Sequence, residues 1–331
     1  YICASFPSVG ISIFCFAVFA PSVSIFYDVV MAKTITLKVE SLKTRLDKYI
    51  ADNSDISRSR IQRDIESGNV KVNGEKIISP KQVVRLDDVI KYAIVEERKV
   101  AAKPAPLKTL YNNHGLLIID KPAGLAVHPG AGLKGDSLAD ALLYYFKDIY
   151  LVGEEGRSGI VHRLDKDTSG VMLIALTQPM YEHLKDAFAE RKIKKEYLAL
   201  VVGNVKQQHG TINVPVGKSK KDFRKYTTDD MLQSKDALTE YWVLDRLDGY
   251  TLIRVRLHTG RTHQIRVHFS SLGHPLAGDS LYGGKAAKLA GLTRQFLHAK
   301  QIEVQLPDGT WVEAESDIPD DLQIILNNLK T

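Results

Sequence analysis

The strongest constraint on this chain is how its apolar residues are cut into short runs. Thr239 to Leu247 and Tyr250 to Leu257 are long strand-like runs with two residues between them. Leu116 to Asp120 and Tyr197 to Val202 read the same way, as do Ile302 to Leu306 and Trp311 to Ala314 across Pro307-Asp308-Gly309. Helical spacing is rarer: Leu138 to Phe146, Pro179 to Arg191, His263 to Leu272, and Ile318 onward. Strands that outnumber helices over short connections favour a mixed or antiparallel α+β domain over a doubly wound one. Residues 204–238 read as loop, basic from Lys218 to Lys225.

At 331 residues the chain has room for two domains. Ala101 to Pro106 carries two prolines and reads as a stiff linker, set at 99–108. Ahead of it, Ile35, Leu37 and Val39 alternate as a short strand, and Leu42, Leu46, Tyr49 and Ile50 fall at helical spacing. A second helix starts at Ser57, with Ile61 and Ile65 on its apolar side and Arg58, Arg60 and Arg63 elsewhere. Val70-Lys71-Val72 turns at Asn73-Gly74, a strong hairpin signal. No carboxylate of the second helix sits four residues before an arginine, so pairing along the helix is not the obvious role of these cations. A solvated helix face is the ordinary alternative.

Residues 1–30 do not match the rest. Tyr1 to Tyr27 has no charged residue, yet it lacks a basic flank and is interrupted by Pro7 and Pro21. Met31-Ala32-Lys33 resembles an ordinary cytosolic start. The expectation is an upstream extension, with a membrane segment as the alternative. Cys3 and Cys15 are the only thiols, so a catalytic cysteine, a Cys-ligated zinc site and a disulfide framework are excluded from the folded body. The zinc base deaminases go with them.

A Walker glycine loop, a dinucleotide fingerprint and a nucleophile elbow are all missing. Gly130-Ala131-Gly132 lacks the third glycine. His258, His263 and His268 are spaced by five, which holds one face in neither helix nor strand, so separate roles are expected rather than a metal. What remains is His162-Arg163-Leu164-Asp165-Lys166-Asp167-Thr168-Ser169-Gly170, a polar turn between two strand-like apolar runs, Gly159-Ile160-Val161 and Val171 to Leu176. As plain turn chemistry, Asp165 or Asp167 would cap the backbone. As chemistry, Asp165 can be a nucleophile or general base, and in a cleft it needs a cationic partner to stay ionised. Arg266 is a candidate; otherwise it is a surface or phosphate-binding arginine.

Two resemblances reach further. Thr44 to Ile50, Ser57 to Gln62 and Gly68 to Gly74 resemble the alpha-L RNA-binding domain, first placed in a small-subunit ribosomal protein. That implies RNA backbone contacts from Arg45, Arg58, Arg60, Arg63 and Lys71 in residues 31–98. From about residue 110 to the end, four segments resemble the RluA-type pseudouridine synthases, in that family's order. They are Gly159 to Gly170, Lys195-Glu196-Tyr197, Thr259 to His268, and Gly273 to Asp279 with Leu281-Tyr282-Gly283-Gly284. Val127 to Gly132 looks most like the family's large-subunit rRNA synthase D branch.

The resemblance implies an α+β protein: a small alpha-L domain, then a catalytic domain at 109–331 with a mixed, mainly antiparallel sheet flanked by helices and loops. It implies an isomerase that turns RNA uridine into pseudouridine with no cofactor, metal or cosubstrate. Asp165 would be the essential carboxylate, Tyr197 would stack on the uracil and could share in proton removal, and Arg266 would orient Asp165. Arg163 would fill the space left by a flipped base, with His162 helping; Arg261 would add to RNA binding, and Lys166, Asp167 and Thr168 would hold the loop. The implied partner is RNA, in large-subunit rRNA or its assembly precursor, bound by a cytoplasmic monomer. The net charge of +6 permits such a polyanion. The alternatives are a synthase acting on tRNA, a non-catalytic RNA-binding or assembly factor, and a metal-dependent hydrolase using Asp165 and Asp167.

Overall fold

The computed structural model describes residues 25–40, 43–102, 104–128, 137–154 and 157–330. The expectations on residues 1–24, with Cys3 and Cys15, and on Pro129 to Gly132 lie outside these described residues. The chain divides into two compact units, 25–102 and 103–331.

The first unit holds β1 (Ile25–Lys38), β2 (Thr44–Arg45), α1 (Leu46–Asp52), α2 (Arg58–Glu66), β3 (Val70–Val72), β4 (Glu75–Ile77), β5 (Val83–Val84) and β6 (Val89–Ala102). Its sheet runs β1-β6-β3-β4, antiparallel throughout. Leu46 and Ile50 of α1 meet Ile61 and Ile65 of α2 over Val70, Ile90 and Tyr92, all fully buried. The apolar stripe read from the sequence is therefore the core face of α2.

Two boundaries move. The strand expected at 35–39 begins at Ile25, and Ile25 to Val30 pair with Glu97 to Ala102. The linker expected at 99–108 shrinks accordingly, since β6 ends at Ala102 and the next strand begins at Lys108. Backbone ladders need no apolar alternation, and the charged run Glu96 to Lys99 hid this strand from a periodicity reading.

The second unit holds β7 (Lys108–Asn113), β8 (Leu116–Lys121), α3 (Leu138–Tyr145), β9 (Ser169–Ala175), α4 (Gln178–Ala189), β10 (Lys194–Val202), β11 (His209–Asn213), β12 (Gly217–Lys218), β13 (Tyr226–Thr227), β14 (Leu238–Leu247), β15 (Tyr250–Leu257), α5 (Gln264–Ser271), β16 (Leu297–Gln305), β17 (Trp311–Glu315) and α6 (Asp320–Lys330). Nine strands form one sheet in the order β11-β14-β15-β10-β16-β9-β8-β7, with β17 also paired to β16. Only β9 and β16 run parallel; the other ladders are antiparallel. This is the mixed, mainly antiparallel α+β sheet expected. Every residue of β9 is buried, which explains its unbroken apolar run. Leu322, Ile325 and Leu326 of α6 pack on Leu198, Leu200, Leu252 and Phe296. Among the described residues, no helix is long and apolar enough to cross a membrane.

Two sequence expectations fail here. Residues 204–238 are not all loop: β11 pairs with β14, and β12 with β13. Only Ile212 of β11 is buried, so this edge strand has no apolar pattern to read. Gly159-Ile160-Val161 is not a strand either; Ile160 makes an isolated bridge to Ile174. Gly159 (φ 72°) lies so close to β9 that a Cβ would stand 2.0 Å from the Ala175 carbonyl oxygen. Gly170 (φ 114°) meets β16 the same way, 2.2 Å from the Ala299 oxygen. Glycine at both ends lets the polar turn sit against the centre of the sheet.

Candidate active site

The turn from His162 to Thr168 is held by its backbone. The Leu173 amide donates to His162 Nε2 at 2.9 Å, and the imidazole packs on Phe188 with centroids 4.8 Å apart. Burial, with Lys195 adding to it, pushes this ring down to about 3, so it is neutral with its proton on Nδ1. His162, expected to help displace a base, is here an anchor of the turn. Fully buried Lys121 donates to the carbonyls of Pro122, Leu125 and Lys166 at 2.8, 2.9 and 3.1 Å. Burial pulls its ammonium down to about 8, against the pull of Asp167 and Asp165. Arg294 Nη1 donates to the Asp167 carbonyl at 3.1 Å, while its other nitrogens grip Asp321 at 2.7 and 3.0 Å. Gln295 reaches the Thr168 hydroxyl at 3.2 Å. Cations aimed at carbonyls thus fix the residues around Asp165, which itself remains partly open.

Arg266, on α5 and buried, spans two carboxylates. Its Nη1 donates to Asp165 Oδ2 at 2.9 Å. Its Nε and Nη2 form a fork on Asp279 at 2.7 and 3.0 Å. Burial opposes its charge, but Asp279 and then Asp165 outweigh that and push the guanidinium upward. Asp279 Oδ1 also accepts the Leu281 and Tyr282 amides at 3.0 and 3.1 Å. The Tyr282 ring lies 5.0 Å from the guanidinium carbon.

Tyr197 sits where the β10 ladder to β16 shifts register after Glu196. It lines one cleft with Arg163, Asp165, Arg261, His263 and Arg266. Burial, then Asp165, drives its phenol upward. It therefore stays protonated, which suits stacking on a ring better than accepting a proton. Arg163 is exposed on the cleft, and Arg261 donates to the Asp236 carbonyl at 2.9 Å. The sequence-derived trio of Asp165, Tyr197 and Arg266 converges. The arrangement offers a carboxylate with one oxygen held by Arg266 and the other facing the cleft, beside an aromatic platform.

The three histidines at spacing five go separate ways. His258 bonds Glu240 at 3.0 Å, His263 bonds the Tyr282 hydroxyl at 2.8 Å, and His268 bonds Thr239 and the Val214 carbonyl. Sequence reasoning missed Asp279, Lys121, Arg294 and Tyr282 as parts of the site. Asp279 and Tyr282 lay inside a motif already singled out, which was their one signal.

In the first unit the cations are less free than expected. Arg45 and Arg58 both bond the fully buried Asp47, and Arg60 pairs with Asp64 at 3.6 Å. A carboxylate four residues before an arginine is not what pairs them: Asp47 comes from α1, and Asp64 lies four residues after Arg60. Arg63 and Lys71 are exposed.

The pattern of the RNA pseudouridylate synthase family matches residues 115–271, and that of the S4 domain matches residues 44–90. An uncharacterized RNA pseudouridine synthase of Aquifex aeolicus is 41% identical over 264 residues, covering 78% of this chain and 83% of that protein. Ribosomal large subunit pseudouridine synthase D of Yersinia pestis is 38% identical over 310 residues, covering 89% and 94%. Among solved structures, human RNA pseudouridylate synthase domain containing 4 superposes with a TM-score of 0.53 at 25% identity, covering 67% of this chain and 93% of that one. With an S4 domain ahead of a mainly antiparallel sheet that gathers Asp165, Tyr197 and Arg266 in one cleft, this chain belongs to the RNA pseudouridine synthase family.

Proposed function

We propose that this enzyme isomerises specific uridines of large-subunit rRNA, with Asp165 as the essential carboxylate acting on a flipped-out base. The observation that carries the reading is the half-used carboxylate of Asp165. Arg266 holds one oxygen at 2.9 Å, and the side chain is 16% exposed at the cleft. Attack on the sugar, attack on the base, and assistance of a glycal route all call on such a carboxylate. A uridine within RNA structure must leave its stack to reach it. Tyr197 then stacks on the uracil, and Arg163 borders the space the base leaves. Arg261 contributes to the RNA contacts, and Arg63 and Lys71 of the S4 unit meet the RNA backbone.

Support for the rRNA target comes from relatives at 37–38% identity that are named for the large ribosomal subunit. Such a substrate places the work in the cytoplasm. One chain carries the whole trio in one cleft, which fits action as a monomer.

The test is Asp165→Asn. It should keep the fold and RNA binding yet release no tritium from rRNA carrying uracil labelled at ring carbon five. Turnover near the parent's would overturn the role of Asp165, and a parent that binds RNA without product would mark a non-catalytic factor. Mapping pseudouridine with and without the gene checks the target: losses should fall at a few loop positions of large-subunit rRNA. Losses confined to tRNA would overturn that part.

A further inference from the structure

We propose that His263 is a positioning residue for Asp165: held by Tyr282, it presents its Nε2 proton to the carboxylate oxygen that Arg266 leaves free. This rests on Asp165 being the reactive carboxylate.

The backbone gives the first reason. His263 stands at the N-cap of α5 with φ 57° and ψ 17°, a left-handed conformation that residues with a Cβ seldom adopt. It is not there to cap, because its side chain makes no capping bond. Among the residues lining the cleft, it is the one non-glycine with positive φ. Such strain persists where the surroundings over-determine it, and it concentrates at functional sites.

The hydrogen bonds give the second. The Tyr226 amide donates to the Tyr282 hydroxyl at 2.9 Å, which takes one of that oxygen's lone pairs. The hydroxyl keeps its own proton to give, and His263 Nδ1 lies 2.8 Å away. Burial pushes the Tyr282 phenol up to about 12, so that proton is present at neutral pH. Nδ1 is then the acceptor, and the ring proton sits on Nε2. Burial lowers the His263 pKa although Asp165 opposes it, so the ring is neutral.

The third reason is where Nε2 points. It lies 3.8 Å from Asp165 Oδ1, while Oδ2 belongs to Arg266. That gap exceeds a direct hydrogen bond, but catalytic hydrogen bonds commonly tighten only when substrate fills the cleft. The groups around the ring are Asp165 and Arg163 from the polar turn, Arg266 from α5, Asp279 and Tyr282 from the segment after it, and Tyr226 from β13. Among the described residues, Arg266 donates to one oxygen of Asp165, and His263 Nε2 faces the other. Together they would fix both oxygens of the carboxylate.

The experiment compares His263→Leu, His263→Gln and Tyr282→Phe with the parent on the same rRNA fragment. Leu should lower kcat by roughly 10²-fold, the order expected for losing one preorganised donor, with KM almost unchanged. Gln, whose amide can present an N–H to Oδ1, should recover most of that loss. Phe removes the donor to Nδ1 and frees the tautomer, so kcat should fall by less than in Leu, with KM near the parent's. If Leu fails to fold, His263→Asn serves in its place: Asn tolerates the left-handed backbone but is too short to reach Asp165. Parent-like kcat in Leu or Asn overturns the proposal, as does equal loss in Gln and Leu, or a change confined to KM. Asp165→Asn, run alongside, separates this failure from that of the underlying reading, because an active Asp165→Asn sinks both.

Discussion

Both units bury an aspartate against arginine, and they do so in opposite ratios. In the S4 unit, one carboxylate serves several donors. Asp47 takes Arg45 at 3.1 and 2.9 Å, Arg58 at 3.1 Å and Gln62 at 2.6 Å. In the synthase unit, one guanidinium serves two carboxylates. Asp279 is fully used by the Arg266 fork and two amides, and its side chain has no exposure. Asp165 has one oxygen held and one open. The same pairing closes a carboxylate off where both oxygens are held, and leaves one oxygen accessible where only the other is.

The largest expected effect comes from removing the shared arginine. Arg266→Gln leaves Asp279 buried without its cation, which should cost roughly 3–5 kcal/mol of stability. It also removes the hydrogen bond to Asp165, so on the proposed role of that carboxylate kcat should fall about 10³-fold in the molecules that stay folded. Thermal melts and single-turnover assays read the two separately. Arg266→Lys keeps a charge but not the fork, and should restore stability in part and kcat hardly at all. A lysine variant with full activity would show that Asp165 needs charge alone.

Asp47→Ala should act on stability only. Arg45 and Arg58 are 40% and 47% exposed at the side chain, so water screens what they lose. The expected cost is about 2–3 kcal/mol, confined to the S4 unit, with kcat at saturating RNA unchanged. The pH dependence has a definite sign. Burial opposes the charge of Asp47, but Arg45, Gln62 and Arg58 hold its carboxyl down at about 2, against an ordinary 3.8. Its stabilisation is complete above pH 3.8 and disappears as the pH falls through 2. Acid unfolding of Asp47→Asn that matched the parent's between those values would contradict this.

What the sequence made legible follows the same divide. Asp165, Tyr197 and Arg266 stand in the motifs that carry the family resemblance, which is what singles them out. Asp47 was overlooked, because its partners come from β2 and α2, and a helix read alone cannot show them. Lys121 and Arg294 bond main-chain carbonyls, which no residue pattern displays. The core strands β8, β9 and β15 were readable from apolar runs that reflect burial. Strand β11, at the edge and polar, was not, nor was the charged stretch of β6. Gly159 belongs to an apolar run, and its close approach to Ala175 is a backbone feature that such a run does not display.

A smaller effect tests the clamps on the turn. Arg294→Gln removes one bond to the Asp167 carbonyl and the fork on Asp321, which is half exposed. The expected loss is about 1–2 kcal/mol of stability and about tenfold in kcat, with KM near the parent's. Asp321→Asn, which weakens only the outer half of the clamp, should cost less of both. If it costs as much kcat as Arg294→Gln, the turn is held through α6 rather than by the bond to Asp167.

The smallest effect returns to the arginines of the S4 unit. A cation committed to a buried carboxylate has little field left for phosphate, whereas an exposed one has all of it. Arg63→Ala and Lys71→Ala should each lower the slope of log affinity against log salt by about 1, with melting unchanged. Arg58→Ala should lower the slope less and the melting temperature more, because its bonds to Asp47 are internal. Anisotropy titrations across a salt series, paired with melts, decide the matter. Should Arg58→Ala match Arg63→Ala in both readouts, the arginines on Asp47 would be RNA ligands that happen to share a counter-charge, and the contrast between a spent carboxylate and an open one would hold for the synthase unit alone.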